Sequence, residues 1–489
     1  MFVEDNNIYI GGTNVLPEWG KVVDDSKSLS EEQQKKMRSN VIERIQKMFR
    51  DYLELDNVSF LFGTGASIHL GAASIQNIPF AVEDDILKGK NKDIANDFKA
   101  YIQKMQKNVT SGLEKDKVRT DSYGWKYTYD GEFYRNCDVK KKTEKGNEVE
   151  VVDEYGEIEV PLESLLNYLI ANLYVAEAEQ DNDKVTRLSN LISAIKKAMF
   201  NLCDVHLRTT CDRDFERIKS KGYKDLFKKD KYIFHEKFLK SLLQRPLNLK
   251  RANIFTSNYD LAFEYSFDNI GVKYIDGFSG FHHRYFKPET FDYDIFYPGS
   301  TTSGKVQRIE KVVRYFKLHG SITWVKDYDL NASNVYGIKE LSIDLIKANG
   351  DDAAFNYGDL MIYPSAVKKS YTLDLPYSEL IRQFSCAISQ PQSVLFAIGY
   401  SFCDEHFNDI IYQALSNPSF TLIIVNFQKS EKSAEIKRLR DLKDPRIIIL
   451  EGNDLGDFLT FSTELMPSFS DASSSEEVTK TLESLLKKE

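Results

Sequence analysis

The stretch FLFGTGASIHLG, residues 60–71, runs from an apolar strand directly into a glycine-rich turn. The apolar run begins at residue 57, and such continuous apolarity is typical of a strand buried inside a parallel sheet. Glycines after such a strand let the backbone approach a phosphate group closely. The turn is not a dinucleotide fingerprint, because Ile68 stands where the third glycine belongs, and no Gly-Lys-Ser/Thr follows to complete a P-loop.

Six later segments repeat the continuous apolar pattern, and helical patterns lie between several of them. The apolar segments are 252–258, 314–320, 359–364, 393–401, 420–427 and 446–450. The helical patterns cover 377–390, 404–416 and 429–442. This alternation of buried strands and helices predicts an α/β fold with an open, Rossmann-like parallel sheet.

The order of these patterns predicts one main domain with additions. We assign 57–465 to the α/β domain, 1–56 to an N-terminal helical extension, and 466–489 to a Ser-rich linker with a C-terminal helix. A mostly helical insertion is predicted at 86–250, where the strand pattern stops. It contains a hairpin that turns at Asp130-Gly131, a second hairpin after it, and helical stretches around 162–207 and 212–243.

The composition of the chain argues against several classes of protein. Lysine and arginine total 65 against 74 acidic residues, and a net charge of -9 argues against a general nucleic-acid binder. No run of about 18 apolar residues is present, so we expect no membrane span. The N-terminus lacks a signal-peptide pattern, which favours a cytoplasmic protein. None of the five cysteines forms a C-x-x-C pair, so no metal site is predicted.

Polar residues follow five of the predicted strands, at the sheet edge where α/β proteins bind ligands. The first loop offers Gly63, Thr64, Gly65, Ala66 and Ser67; the second Thr256, Asn258 and Asp260; the third His319; the fourth Gly399 and Ser401; and the fifth Asn426. A histidine just past a strand can exchange protons near neutral pH. Each loop alone also has an ordinary structural interpretation, such as a tight turn or, for Asp404, a cap on the next helix.

Taken in order, the five loops resemble the sirtuin, or Sir2-like, family. That family's pattern runs G-A-G-x-S, T-Q-N-x-D, L-H-G-S, G-T-S and I-N, and this sequence reads G-T-G-A-S, T-S-N-Y-D, L-H-G-S, G-Y-S and V-N. The resemblance covers about 57–85 and 250–460. The segments TSNYDLAFE, LHGSITW and FAIGYSFCDEHFNDII are most similar to those of Sir2-like effectors of bacterial anti-phage systems, in which the fold hydrolyses NAD.

The resemblance implies a role for each loop. Gly63, Gly65, Ala66 and Ser67 would cradle the pyrophosphate of NAD, in loops that also contain Thr64, Thr256 and Gly399. Asn258 would lie by the nicotinamide ribose and Asp260 by the carboxamide, with His319 as general base. Ser401 and Asn426 would hold the phosphate and adenine-ribose side.

One departure from the family changes the expected reaction. Sirtuin deacylases carry a four-cysteine zinc module after the histidine strand, whereas residues 322–392 contain the single Cys386. We therefore expect an NAD+ glycohydrolase that depletes NAD in defence. An NAD-dependent protein deacylase and a non-catalytic module that binds NAD or ADP-ribose remain alternatives. A toxic hydrolase needs control, and the resemblance implies a homo-oligomer or a companion ATPase of the HerA type.

Overall fold

A computed structural model describes residues 2–20, 31–73, 78–120, 126–144, 147–160, 162–297, 308–348 and 375–467. Its strands are β1 Asn6–Ile10, β2 Thr13–Asn14, β3 Asn57–Phe62, β4 Arg119–Thr120, β5 Lys126–Tyr129, β6 Tyr134–Glu144, β7 Asn147–Ile158, β8 Asn253–Thr256, β9 Lys273–Ile275, β10 Phe278–Ser279, β11 Arg284–Phe286, β12 Val312–Lys317, β13 Trp324–Lys326, β14 Ile338–Glu340, β15 Ser393–Ile398, β16 Thr421–Asn426 and β17 Ile447–Gly452. Its α-helices are α1 Phe2–Asp5, α2 Leu16–Gly20, α3 Glu31–Leu53, α4 Ile78–Lys88, α5 Lys92–Thr110, α6 Leu162–Ala178, α7 Asn182–Cys203, α8 Asp212–Ser220, α9 Lys224–Lys229, α10 Ile233–Leu242, α11 Ala262–Ile270, α12 Ile343–Ala348, α13 Tyr377–Ile388, α14 Glu405–Leu415, α15 Ala434–Asp441 and α16 Phe458–Thr460.

The main sheet has the order β2-β1-β17-β16-β15-β3-β8-β12-β9 within the described part of the chain. The seven strands from β17 to β9 are parallel, and β1 and β2 add an antiparallel edge. The predicted α/β fold with a Rossmann-like parallel sheet is confirmed. Two smaller antiparallel sheets accompany it, β4-β5-β6-β7 and β10-β11-β14-β13.

The apolar runs form strands whose side chains are buried on both faces of the sheet. Alternate residues of β15 enter different cores: Val394, Phe396 and Ile398 lie on one face, and Leu395 and Ala397 on the other. Helices α3, α10 and α11 cover the first face, while α13, α14 and α15 cover the second. Six of the seven predicted strands are found; the seventh, 359–364, lies outside the described residues.

The N-terminal segment is not simply a helical extension. Its strand β1 pairs antiparallel with β17, with Ile8 opposite Leu450, and Ile8 is fully buried. Helix α3 packs its apolar stripe, including Phe49, into the core on one face of the sheet. A strand of five residues is too short to be recognised from its sequence pattern. The stability of β1 comes from its hydrogen bonds with β17. The C-terminal linker and helix lie almost wholly outside the described residues.

The predicted insertion divides into two parts. Residues between Val82 and Leu202 share a separate hydrophobic core, formed by α4 to α7 with the sheet β4-β5-β6-β7. Both predicted hairpins are present there, as β5-β6 and β6-β7. Helices α8 and α10 instead bury Ile218, Phe234 and Phe238 against the main sheet. They belong to the α/β body because a stripe of large aromatic side chains needs an apolar surface to cover, and the sheet face supplies it.

Candidate functional site

The five candidate loops lie side by side at the carboxyl edge of the main sheet. A chain of backbone hydrogen bonds joins them just past the strand ends. Gly399 N donates to Val425 O (2.9 Å), Gly63 N to Ile398 O (3.1 Å), Ser257 N to Phe62 O (3.0 Å) and Leu318 N to Thr256 O (2.8 Å). The loops that contain Asn426, Ser401, the glycine turn, Asn258 and His319 are therefore neighbours in that order across the edge.

The glycine turn packs directly on the loop after β15. A Cβ atom on Gly63 would lie 2.5 Å from Gly399 O, and one on Gly65 would lie 2.6 Å from Gly399 Cα. Gly399 itself has a φ of +57°, which favours glycine. The glycines are thus required for contact between two protein loops, in addition to any approach to a phosphate.

The turn does not lead into an α-helix, the element whose N-terminal amides commonly bind phosphate in α/β proteins. It continues as two short 3-10 helices, Thr64–Ala66 and Ile68–Leu70. The amides of Gly65, Ala66 and Ser67 already donate to Gly399 O, Gly63 O and Thr64 O. Turns this short carry little helix dipole. The partly exposed tip of the turn, at Thr64 and Gly65, is the part that a ligand can reach.

Asn258 is buried, and its side-chain amide is held in one orientation. Its Nδ2 donates to Gly63 O at 3.0 Å and to Ser67 Oγ at 3.2 Å, and its backbone N donates to Thr256 Oγ1 at 3.0 Å. Both amide hydrogens are used in this way, which leaves Oδ1 as the atom that can accept a hydrogen bond from a ligand. Ser67 and Thr256 therefore act here by orienting Asn258.

Asp260 lies in the same loop, with its carboxylate buried. Its Oδ1 accepts from Ala262 N at 3.0 Å. Burial raises the pKa of Asp260, while the charge of Lys317 and the hydroxyl of Ser67 oppose that shift.

Sequence reasoning missed the buried pair Lys317 and Glu264 behind this loop. Lys317 Nζ contacts the carbonyl of Asp260 and lies 2.9 Å from Glu264 Oε1. Burial also raises the pKa of Glu264, again opposed by Lys317. Lys317 thereby ties β12 to the loop after β8 and to α11. The only sequence signal for these contacts is the apolar surrounding of Lys317 in RYFKLHG.

His319 is buried two residues after the end of β12. Its Nε2 lies 3.8 Å from Asp404 Oδ2, and its ring lies among those of Tyr259 at 6.3 Å, Phe407 at 5.5 Å and His406 at 6.2 Å. The alternative interpretation of Asp404 as a cap on the next helix holds for its position only. It occupies the N-cap position, but its side chain caps no helix amide. The hydroxyl of Tyr400 and the ring of His319 approach it instead.

Ser401 and Asn426 lie on the side of the turn away from His319. Ser401 is exposed, and Asn426 is partly buried, with its Nδ2 donating to Gln428 O at 2.6 Å. Their positions at the ends of β15 and β16 are those the sequence predicts, and Ser401 presents its side chain to solvent. The edge therefore has a buried end at Asn258 and His319 and a more open end at Ser401 and Asn426.

One known family matches the part of the chain that carries most of the candidate loops. Residues 252–443 match the family described as SIR2-like domain. This segment of the chain is therefore similar to a SIR2-like domain. It contains four of the five candidate loops, and the fifth, the glycine turn, is hydrogen-bonded to it through Gly63 and Ser257. No curated protein shows a significant match to the chain.

The SIR2-like domain indicates an NAD-related function, since domains of this family bind NAD. The residues present fit that ligand: polar side chains extend along one edge, from the fixed amide of Asn258 to the exposed hydroxyl of Ser401. Among the described residues, no group of three or more His, Cys, Asp or Glu side chains is arranged to hold a metal ion. No described helix is both long and apolar enough to cross a membrane.

Proposed function

We propose that the protein is an NAD+ glycohydrolase, which converts NAD+ and water into ADP-ribose and nicotinamide. The observation that carries the proposal is the position of Asn258 and His319 in adjacent loops at the buried end of the site. An amide oxygen with fixed direction and an imidazole are the groups that this reaction needs. The proposal rests on the SIR2-like domain for the identity of the ligand.

The chemistry explains why so few groups suffice. Cleavage of the bond between nicotinamide and ribose passes through an oxocarbenium-like transition state. Nicotinamide leaves as a neutral molecule, taking the bonding electron pair that neutralises its pyridinium nitrogen, so no strong general acid is required. Asn258 Oδ1 would orient the attacking water or a ribose hydroxyl, and His319 would accept the proton released as the new C–O bond forms. Asp260 would face the carboxamide.

We further propose that the enzyme is a regulated effector of bacterial anti-phage defence, acting through NAD depletion. Contacts between the insertion and the glycine turn support control through the insertion. After α7, Thr210 Oγ1 donates to His69 O at 2.8 Å and Arg208 Nε to Gly71 O at 3.3 Å. A homo-oligomer contact or a HerA-type ATPase that moves the insertion would therefore act on residues next to the turn.

The decisive experiment is incubation of the purified protein with NAD, with and without an acetylated peptide. Nicotinamide and ADP-ribose released without peptide, in equal amounts, support the glycohydrolase. Release that depends on peptide, with an acetylated ADP-ribose product, would identify a deacylase instead. NAD binding without release, also in the presence of candidate partners, would identify a binding module and overturn the proposal.

Variants make the same assay specific for this site. His319→Ala is expected to lower nicotinamide release at least about 100-fold, because a positioned general base contributes about 10²–10⁴ in rate. Glu405→Gln is the matched control: it removes an exposed charge from the neighbouring helix and should leave the rate unchanged. Equal activity of His319→Ala and the wild type would refute the assigned role.

A further inference from the structure

Asp404 lies beside His319, on the loop that joins β15 to α14. Its Oδ2 is 3.8 Å from His319 Nε2, and the two side chains are only 4% and 8% exposed. This distance is within the range of an ion pair and longer than a hydrogen bond. Hydrogen bonds between catalytic groups are often long before substrate binds and shorten in the complex. The pair is therefore close enough to act together in a site that excludes most water.

The direction of the Asp404 carboxylate is set by its surroundings. Tyr400 donates its hydroxyl to Asp404 Oδ2 at 3.2 Å. The backbone carbonyl of Asp404 accepts from Phe407 N and Asn408 N, both at 3.1 Å, which fixes the main chain at the start of α14. The side chain makes no helix cap, the usual role of aspartate at this position. The Asp404 carboxylate thus lies next to the ring of His319 and does not bond the amides of its own helix.

We propose that Asp404 is a positioning residue for His319, an inference that rests on the function proposed above. With its Nε2 hydrogen directed at Asp404, the imidazole carries its lone pair on Nδ1. When His319 takes the proton from the nucleophile, the imidazolium that forms lies next to a fixed negative charge. The proton stays on His319 and does not pass to Asp404. The hydroxyl of Tyr400 orients the Asp404 carboxylate, which in turn orients His319.

The kinetic test uses Asp404→Asn, Asp404→Glu and the control Glu405→Gln, which removes the adjacent exposed carboxylate. Asp404→Asn is expected to lower kcat for nicotinamide release at least about 30-fold, with KM for NAD within about threefold, because a positioning residue acts on the reaction through His319. Asp404→Glu should recover part of kcat, and Glu405→Gln should match the wild type. In a His319→Ala background, Asp404→Asn should cause no further loss. An unchanged kcat in Asp404→Asn, or an equal loss in both backgrounds, would overturn the proposal.

A second measurement does not depend on activity. Ring-nitrogen NMR at a pH where the imidazole is neutral reports which nitrogen of His319 carries the hydrogen, with the His319→Ala spectrum giving the assignment. The wild type should show the Nε2–H form, and Asp404→Asn a mixture of both forms. The same Nε2–H form in both proteins would refute the positioning role. A wild type that releases no nicotinamide but shows the expected spectra would refute the glycohydrolase and leave the pairing of Asp404 with His319 established.

Discussion

Because two histidines are buried near the glycine turn, we predict that the protein loses stability in mild acid. The rings of His69 and His235 lie 5.5 Å apart and nearly parallel, and both residues are completely buried. Phe263 and Phe458 pack against His235 at 4.9 Å and 4.8 Å. Within the described part of the chain, neither ring nitrogen of His235 has a hydrogen-bond partner. Protonation would therefore place an unpaired charge inside an aromatic core.

The size of the effect follows from the pKa of His235. Burial lowers this pKa from 6.5 to about 3. Between these values the unfolded chain binds a proton that the folded protein does not, so stability falls as the pH decreases from about 6.5 towards 3 and is unaffected above that window. At pH 5, RT ln[(1 + 10^1.5)/(1 + 10^-2)] gives a loss of about 2 kcal/mol for this residue alone. His69 adds to it, because burial and the neighbouring His235, Arg217 and Lys231 lower its pKa as well.

The perturbation is His235→Leu, which keeps an apolar side chain of similar volume and removes two unpaired polar atoms. At pH 7.5 the free energy of unfolding should be equal or higher than in the wild type, because an unsatisfied buried polar group costs about 1–3 kcal/mol. The loss between pH 7.5 and pH 5 should shrink by about 2 kcal/mol.

Urea unfolding at the two pH values measures this difference, followed by circular dichroism and tryptophan fluorescence and evaluated where both probes coincide. His282→Gln, which changes an exposed histidine, is the control and should keep the wild-type pH dependence. A His235→Leu variant that loses as much stability at pH 5 as the wild type would refute the reasoning.

Three further variants test the site by other routes. Gly65→Val places a side chain where a Cβ atom alone would lie 2.6 Å from Gly399 Cα. Overpacking should lower the free energy of unfolding by about 1–3 kcal/mol, and with it the melting temperature, alongside the loss of nicotinamide release. An unchanged melting temperature would contradict the loop contact. Lys317→Met leaves the largely buried Glu264 carboxylate with the Tyr315 hydroxyl but without a cation, which should cost about 3 kcal/mol in chemical unfolding. Glu264→Gln in the same chain should restore a part of this loss. Asn258→Ala removes two side-chain hydrogen bonds and should lower the free energy of unfolding by about 2 kcal/mol. It should also lower nicotinamide release about 100-fold or more. A rate within a few-fold of the wild type would exclude the proposed catalytic role of Asn258.

Gly65→Val shows how the tertiary structure changes the meaning of a motif. From the sequence, the glycines of the turn serve an approaching pyrophosphate. In the fold, Gly63 and Gly65 face Gly399, and three of the turn amides are already satisfied by protein oxygens. A mutation there will reduce NAD binding partly by separating two loops. Binding and stability must therefore be measured together before either is assigned to the turn.

The sequence by itself determined the sheet and the location of the site. Continuous apolar runs that alternate with helical patterns are typical of a covered parallel sheet, and the carboxyl ends of parallel strands share one edge. The polar residues that follow those runs, including Asn258 and His319, therefore had to lie close together. This inference is local, since each step depends on a run of six to nine residues and on what comes directly after it.

Only the tertiary structure decided which groups act on those residues. The side chains of Ser67 and Asp404 find their partners on other loops, far away in the chain, and no pattern within either loop encodes that contact. The same holds for β1, which is stable only against β17, and for the His69–His235 pair, buried together by helices from the predicted insertion. Pairing across the fold depends on the three-dimensional path of the backbone, so the sequence supplied the candidates and the packing selected their partners.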